Sequence, residues 1–273
     1  MTKINFKKEW QFLKECEKET RTGICAKQRF IEILKIVENL PTPAKILDVG
    51  GTLGTALWLK AKFPRARITI LNQSAKGLSS YPDFIKANAQ SFKTKEKYDL
   101  IFALEILEHL YNPDGLIASC LLALKPKGHL LICTPNLSCF PNRLFLLAGW
   151  TPGNYSPSLR FFTGNPFLAK KITDFGDIGD HKSVFTWKGL SDLIEKYKFK
   201  VIDSKGYSYA QEEEIQILKN RYSAPPYWRL RLWLNNFLPH HLREGMIFVC
   251  RAPKKIDQKR VEKGILKEAL WEL

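Results

Sequence analysis

Seven short apolar runs follow one another along this chain, separated by segments in which apolar residues recur at helical spacing. The runs occupy residues 45–49, 68–71, 83–86, 98–103, 128–133, 200–203 and 246–250. Helical spacing is found at about 26–40, 55–62, 113–124 and 187–197. Apolar runs of this kind are typical of strands buried on both faces, and their alternation with helices indicates right-handed βαβ units. The pattern therefore predicts an α/β fold with a doubly wound, mostly parallel seven-stranded sheet and helices on both faces.

Two long stretches interrupt this alternation. Residues 137–182 and about 207–243 contain aromatic, proline and arginine residues but no clear period. Segments of that length without a pattern of their own are usually lids or substrate-binding insertions. We therefore predict an N-terminal helical cap over 1–43, a main domain over 44–253 with these two insertions as a substrate cover, and a C-terminal amphipathic helix over 254–273.

The composition of the chain indicates the kinds of binding partner and the cellular compartment to expect. The chain carries 43 lysine and arginine residues against 27 acidic residues, a formal net charge of +16. That charge favours contact with an anionic partner such as RNA, a lipid surface or an acidic metabolite, although a lysine-rich solvated surface explains it as well. No apolar run reaches 18 residues, the N-terminus lacks the apolar stretch of a secretion signal, and the six cysteines form no C-x-x-C pair. These features predict a cytoplasmic location.

A glycine-rich turn after the first apolar run carries the clearest chemical signal. Asp48 lies near the end of the run, Gly50, Gly51 and Gly54 follow, and a helical segment begins at once. Glycines allow a sharp bend and a close approach of backbone to ligand, and the helix that follows points free N–H groups at the same place. The segment predicts a nucleotide-type cofactor site at the carboxyl end of the first strand, unless the glycines serve only to join strand and helix.

Five landmarks in a fixed order resemble one family. They are residues 46–54 with the glycine turn, 98–110 with its Glu-x-x-Glu-His end, 124–128, 134–136 and 181–186. Over roughly 44–253 the chain resembles the class I S-adenosylmethionine-dependent methyltransferases, whose fold is Rossmann-like. The Glu-x-x-Glu-His turn is similar to that of the ubiquinone-pathway O-methyltransferases. The resemblance implies a transferase that uses S-adenosyl-L-methionine.

The resemblance also implies roles for the residues of the first turn. Asp48 would orient the amino group of the methionine moiety, directly or through water. Gly50, Gly51 and Gly54 would let the backbone approach the cofactor. Thr52 replaces a glycine of the family motif, at a position that the cofactor would still contact.

Further along the chain, the resemblance assigns the nucleoside end of the cofactor. Asn72 falls where the family usually places an acid on the ribose hydroxyls, and Asn88 beside Ala89 falls where an aspartate usually meets the adenine amino group. Glu105 would open the turn that forms the wall of the methyl-transfer site. An amide can still hydrogen-bond but gives up a charge-assisted bond, so we expect weak to moderate cofactor affinity.

Histidines and carboxylates near the expected acceptor site allow two kinds of chemistry. His109 and His181 are candidates for the general base that an alcohol or phenol acceptor requires, and His109 fits a packing role equally well. Glu105, Glu108 and His109, with His181 added, also suit a divalent cation such as Mg²⁺ or Mn²⁺. This set resembles the metal site of the RNA 3′-terminal 2′-O-methyltransferases.

The sequence thus predicts O-methylation of a small-molecule, glycan or lipid-linked acceptor. Two alternatives stay open: an RNA methyltransferase, supported by the charge and the metal-like set, and a non-catalytic scaffold that has lost its cofactor. The run at 227–234 fits either a membrane-interface segment or a core helix whose arginines reach water. The C-terminal helix is a candidate contact for a homodimer.

Overall fold

The computed structural model describes residues 27–155, 163–166, 181–208 and 237–257, together with residues 8, 11, 12, 259 and 261. The described helices are α1 Lys27–Glu38, α2 Leu53–Lys62, α3 Pro113–Ala123, α4 Phe140–Leu147 and α5 Trp187–Lys196, with short 3₁₀ turns at Leu107–His109 and His240–Leu242. The strands are β1 Lys45–Val49, β2 Arg67–Asn72, β3 Phe84–Lys86, β4 Tyr98–Leu104, β5 Leu124–Pro135, β6 Lys200–Tyr207 and β7 Gly245–Arg251.

All seven strands form one sheet in the order β3-β2-β1-β4-β5-β7-β6. The first five strands in this order, β3, β2, β1, β4 and β5, are parallel to one another, while β7 runs antiparallel to both β5 and β6. The prediction of a mostly parallel seven-stranded α/β sheet is confirmed. Chain order reverses between β1 and β4, and in open α/β sheets such a switch point opens a crevice at the carboxyl ends of the strands.

Helices cover both faces of the sheet, as predicted. On one face Phe30 and Leu34 of α1 pack with Trp58 of α2, and the Phe30 and Trp58 rings meet edge to face at 5.2 Å. On the other face Leu116 of α3 and Ile194 of α5 are fully buried against the sheet. These four helices bury apolar side chains against the sheet, and this burial is the main source of stability for such a layered fold.

The helix α4 lies inside a stretch for which the sequence predicts no regular element. Three of its leucines, Leu144, Leu146 and Leu147, are at least half exposed, so its apolar residues do not follow a single buried stripe. Burial periodicity is the signal that sequence analysis uses to recognise a helix, and it is weak here. The strand predicted at 200–203 is also longer than expected, because β6 pairs with β7 as far as Tyr207 and Gly245.

Several predictions fall outside the described residues. They concern most of the N-terminal helical cap before α1, residues 156–162 and 167–180 of the first insertion, residues 209–236 with the run 227–234, and most of the C-terminal helix. The domain boundaries stay a prediction. Among the residues that the structure describes, no helix is long and apolar enough to cross a membrane.

Candidate active site

The glycine turn after β1 packs directly against the turn after β4. Gly50 has a φ of +76°, and its N–H donates to the carbonyl of Leu71 at 2.7 Å. A Cβ at Gly50 would lie 2.5 Å from Cδ1 of Ile106, inside van der Waals contact. Only glycine combines that backbone conformation with that approach, so the two turns together form the floor of the crevice at the switch point.

Replacement of Gly50 by alanine is expected to disturb this floor. Gly149 offers a matched control, since its φ is +72° but a Cβ there would meet nothing within 4 Å. Both alanine variants place a side chain in the left-handed region, at a cost of about 1–2 kcal/mol. We expect Gly50→Ala to lower the free energy of unfolding further than Gly149→Ala does, and to be the one that weakens cofactor binding in calorimetry. Equal effects of the two variants on affinity would contradict this role of the turn.

Asp48 lies beneath the glycine turn and not on an open face. Its side chain is 2% exposed, Thr55 Oγ1 donates to Oδ2 at 2.6 Å, and a Cβ on Gly51 would lie 2.2 Å from the same oxygen. Burial raises the pKa of the Asp48 carboxyl to about 7, and the hydrogen bond from Thr55 only partly opposes this. The carboxyl therefore supports the turn and adds a negative charge to it at neutral pH and above.

The threonine that replaces a motif glycine is a helix cap. Thr52 is the N-cap of α2, and its Oγ1 accepts the N–H of Thr55 at 3.2 Å. In return Thr55 Oγ1 accepts the N–H of Thr52 at 3.0 Å, which completes a capping box. Gly54 is buried in the first turn of α2. Thr52 thus fixes the start of the helix whose N–H groups face the crevice.

Asn72, at the end of β2, is bonded to the glycine turn. Its Nδ2 donates to the carbonyl of Gly51 at 3.1 Å, and its Oδ1 accepts the N–H of Ser74 at 2.9 Å. A carboxylate could not donate to that carbonyl, so an amide at this position holds the turn in a way that an acid cannot. The amide that stands where the family usually has an acid therefore helps to hold the glycine turn.

The side chain of Asn88 stabilises a local turn. Its Oδ1 accepts the N–H of Gln90 at 2.9 Å, and the residue is exposed, while the neighbouring Ala89 is buried. This is an Asx turn, in which a side-chain oxygen replaces a backbone acceptor. The contact that both residues would make with adenine stays a prediction.

Glu105 is held by residues from three other elements. The residue has a φ of +49°, a left-handed backbone conformation that is uncommon for residues other than glycine. Arg29 of α1 pairs with Oε2 at 3.0 Å, while Tyr207 OH of β6 and Cys133 Sγ of β5 donate to Oε1 at 2.6 and 3.2 Å. Sequence analysis missed Arg29 and Tyr207, because both are distant in the chain and neither belongs to a local motif.

Glu108, His109 and His181 form a compact cluster beside the same turn. One potential ligand atom from each lies within 4.8 Å of the others, and the two imidazole rings meet edge to face at 5.0 Å. The backbone carbonyl of Glu108 accepts the N–H groups of Lys182 and Ser183 at 2.6 and 3.0 Å, which ties the two segments together. Of the four residues of the predicted metal set, the structure brings these three together, while the Glu105 carboxylate contacts Arg29 and Tyr207 instead.

The carboxyl of Glu108 is almost completely buried. It is 1% exposed, and Thr134 Oγ1 donates to Oε2 at 2.9 Å. Burial raises its pKa well above the ordinary range, and the nearby negative charge of Glu105 raises it further. Burial in this position therefore disfavours the charged form of the Glu108 carboxyl.

The structure sets the tautomer of His181. Its Nδ1 lies 2.8 Å from the backbone carbonyl oxygen of Asn154. A carbonyl oxygen only accepts hydrogen bonds, so Nδ1 carries the proton in the neutral ring and Nε2 is the acceptor. This orientation is what a general base or a nitrogen ligand requires. Sequence analysis found His181 but not its orienting partner.

The residues present fit S-adenosylmethionine. The glycine cradle at Gly50 leaves no room for a Cβ, and the buried Asp48 carboxyl lies directly beneath it. A negative charge there suits a cofactor that carries a sulfonium and an ammonium group. The amides at Asn72 and Asn88 are engaged in local turns, so they contribute shape and hydrogen bonds without charge.

A family comparison agrees with this geometry. The sequence profile of a family described as a methyltransferase domain matches residues 25–204. The chain belongs to the class I S-adenosylmethionine-dependent methyltransferases. The resemblance stated from the five landmarks is therefore confirmed.

Individual methyltransferases show how far the likeness extends. A ubiquinone biosynthesis O-methyltransferase from Photobacterium profundum is 29% identical over 116 residues, which cover 38% of this chain and 49% of the relative. The chain spans about half the length of the curated relatives it matches.

Solved methyltransferase structures share the fold. A SAM-dependent methyltransferase from Archaeoglobus fulgidus superposes with a TM-score of 0.50 at 13% identity, over 86% of this chain and 97% of that one. An O-methyltransferase from a Brevibacillus brevis polyketide synthase, in complex with S-adenosyl-L-homocysteine, gives a TM-score of 0.50 at 15% identity, over 89% and 78%. Likeness at such low identity shows the fold alone.

Proposed function

We propose that this methyltransferase transfers the methyl group of S-adenosyl-L-methionine to a hydroxyl oxygen of a small-molecule acceptor, with His181 as the general base. The observation that carries the proposal is the 2.8 Å contact between His181 Nδ1 and the Asn154 carbonyl, which leaves Nε2 as a proton acceptor. The ubiquinone biosynthesis O-methyltransferases to which the chain is similar support oxygen as the accepting atom.

The residues of the chain divide this work between binding and proton transfer. The cofactor-binding residues are Asp48, Gly50, Gly51, Thr52, Gly54, Asn72, Asn88, Ala89 and Glu105. The cofactor, when bound, supplies an electrophilic methyl group on a sulfonium. His181 Nε2 takes the proton from the acceptor hydroxyl, and the Asn154 carbonyl stabilises the imidazolium that results.

A metal-assisted version of the same reaction is the second candidate. The cluster of Glu108, His109 and His181 offers two imidazoles and one carboxylate within a short distance. Since the Glu105 carboxylate is engaged elsewhere, the remaining set contains more nitrogen than Mg²⁺ prefers and suits Mn²⁺ better. We expect turnover to persist in the presence of a strong chelator. Complete loss of turnover with the chelator, restored by Mn²⁺, would instead favour the metal-assisted version.

Other partners stay predictions. A glycan, lipid-linked or RNA acceptor and a peripheral membrane contact each depend on the net charge of +16 or on segments outside the described residues. A homodimer contact through the C-terminal helix and a cytoplasmic location also stay predictions.

Two measurements test the proposal. Calorimetric titration with S-adenosylhomocysteine should give a dissociation constant in the micromolar range, and no binding at millimolar ligand would contradict it. Radiolabelled methyl transfer should then be measured to two matched probes, catechol and ortho-phenylenediamine, which differ only in hydroxyl against amine. A phenol hydroxyl must lose a proton, so we expect label on catechol. Label on the diamine alone would contradict oxygen as the acceptor.

A further inference from the structure

A buried amide outside every family motif lies next to the partner of His181. Asn142, in α4, is 2% exposed and hydrogen-bonds through both ends of its side chain. Its Nδ2 donates to the Leu137 carbonyl at 3.0 Å and to Asn154 Oδ1 at 2.7 Å, and its Oδ1 accepts the N–H of Gly153 at 2.8 Å. A buried amide with this many partners fixes the segment that it contacts.

The segment that Asn142 fixes presents the carbonyl that contacts His181. Asn142 holds residue 153 through its backbone and residue 154 through its side chain, while the backbone oxygen of Asn154 accepts from His181 Nδ1. Among the described residues, Asn154 has no second side-chain anchor, because its Nδ2 is buried without a hydrogen-bond partner. The position of the carbonyl therefore depends on Asn142.

The backbone beside His181 is anchored independently of this pair. The N–H groups of Lys182 and Ser183 donate to the Glu108 carbonyl, and Ser183 Oγ donates to the Leu110 carbonyl at 2.8 Å. A change at Asn142 should therefore leave the chain around His181 in place and alter the hydrogen bond that the ring makes at Nδ1.

We infer that Asn142 is a positioning residue, which acts through Asn154 to fix the tautomer and orientation of the His181 ring. The inference rests on the proposed function, because it concerns the same histidine. Mutation of a partner that orients a metal-ligating imidazole typically costs about 10- to 100-fold in affinity or activity, and we expect an effect of the same order here. Asn142 joins α4, which lies in the predicted substrate cover, to the proton-accepting atom of the site.

The Asn142→Asp variant tests this with almost no change in shape. A carboxylate has no N–H groups, so it cannot donate to Leu137 or to Asn154, and the contact with Asn154 Oδ1 becomes repulsive. Long-range proton–nitrogen NMR of histidine-labelled protein, recorded with a chelator present, reports which ring nitrogen of His181 is protonated. We expect the Nδ1–H tautomer in wild type and a mixture in the variant.

The matched control is Asn165→Asp. Asn165 is also a buried amide, 1% exposed, and its Nδ2 donates at 2.8 Å to the carbonyl of Thr151 in the same loop. Asn165 bonds to the backbone of residue 151, whereas Asn142 bonds to residues 153 and 154, so the His181 spectrum should keep the wild-type tautomer in this control. Where the acceptor assay works, Asn142→Asp should lower kcat about 10-fold or more without changing the KM for the cofactor, and the control should not.

A second variant tests the same inference if Asn142→Asp does not fold. Asn154→Ala removes the side-chain anchor but keeps the backbone carbonyl, and should produce the same tautomer mixture. The double variant should show no further change in the tautomer mixture, because each single change already removes the same hydrogen bond between the side chains of Asn142 and Asn154. An unchanged His181 tautomer in a folded variant would overturn the inference. The spectrum needs neither cofactor nor acceptor, so this outcome is distinct from a failure of the proposed methyl transfer.

Discussion

Replacement of Asp48 by asparagine should stabilise the protein while weakening its cofactor site. Burial raises the pKa of Asp48 to about 7 from the ordinary aspartate value of 3.8, so the ionised form is disfavoured in the folded state. That difference corresponds to at most about 4 kcal/mol of folding free energy at alkaline pH. Asparagine is neutral at every pH and can still accept the hydrogen bond from Thr55. We expect Asp48→Asn to raise the free energy of unfolding near neutral and alkaline pH.

The direction of the pH dependence follows from the raised pKa. Below about pH 4 the carboxyl is protonated in both states, and its contribution to stability is fully present. Between about pH 4 and pH 7 the unfolded chain loses this proton while the folded chain keeps it, so stability falls as pH rises. Urea unfolding of wild type and Asp48→Asn should therefore give free energies that differ more at about pH 8 than at about pH 5. A difference that stays constant with pH would contradict the assignment.

Asp99 provides a control of opposite sign. Burial raises the pKa of its carboxyl, but hydrogen bonds from Lys125 and from the N–H groups of Lys45 and Ala44 outweigh burial and lower the pKa overall. Its contribution to stability is present above the unfolded pKa and is lost as pH falls. Asp99→Asn should therefore destabilise the protein at neutral pH, with an effect that shrinks in acid.

The same change at Asp48 should distinguish charge from shape at the cofactor site. S-adenosylmethionine carries a sulfonium and S-adenosylhomocysteine a neutral thioether, so loss of the Asp48 charge should weaken the first more than the second. Calorimetry at about pH 8, where the wild-type carboxyl is ionised, measures both affinities. Equal losses for the two ligands would show that Asp48 acts only by supporting the glycine turn.

His181→Asn is expected to remove most of the turnover and leave the cofactor affinity intact. The asparagine amide can donate to the Asn154 carbonyl as Nδ1 does, but it offers no nitrogen that accepts a proton. General base catalysis contributes about 10²- to 10⁴-fold, so kcat for a phenol probe should fall within that range. Single-turnover transfer of radiolabelled methyl measures the loss, and added imidazole should restore part of the rate.

The control for this variant is His129→Asn. His129 lies on β5 opposite Arg251, away from the cluster, and burial lowers its pKa, with a further effect of that arginine. Its replacement should not change turnover. If His181→Asn keeps full activity, or if His109→Asn alone abolishes it, the base is not His181.

The main elements of the fold could be predicted because burial leaves a periodic record in the sequence. Strands β1, β2, β4 and β7 are nearly continuous apolar runs, and α5 buries Leu190 and Ile194 on one stripe. The sequence did not predict α4, because its leucines are exposed and leave no periodic pattern. The predicted length of β6 was too short, because the end of this strand depends on pairing with β7. Pairing depends on two strands, so the sequence of one strand does not show how far its pairing extends.

Much of the candidate site could also be located, since the glycine turn and the Glu-x-x-Glu-His turn are local motifs. Glu108, His109 and His181 do lie together, as the landmarks implied. The contacts of each side chain could not be predicted, because hydrogen bonds depend on atoms brought together by the sheet. Glu105 is the clearest case: its sequence context suggested a metal ligand, whereas Arg29 and Tyr207 engage its carboxylate.

The sequence by itself determined the α/β architecture, the family and the position of the glycine turn, because each depends on local periodicity or on a short motif. Only the tertiary structure decided that Asp48 is buried beneath Gly51, that Glu105 is removed from the metal-like set, and that His181 presents Nε2. These properties arise from desolvation and from hydrogen bonds between distant segments, and such interactions exist only once the chain has folded.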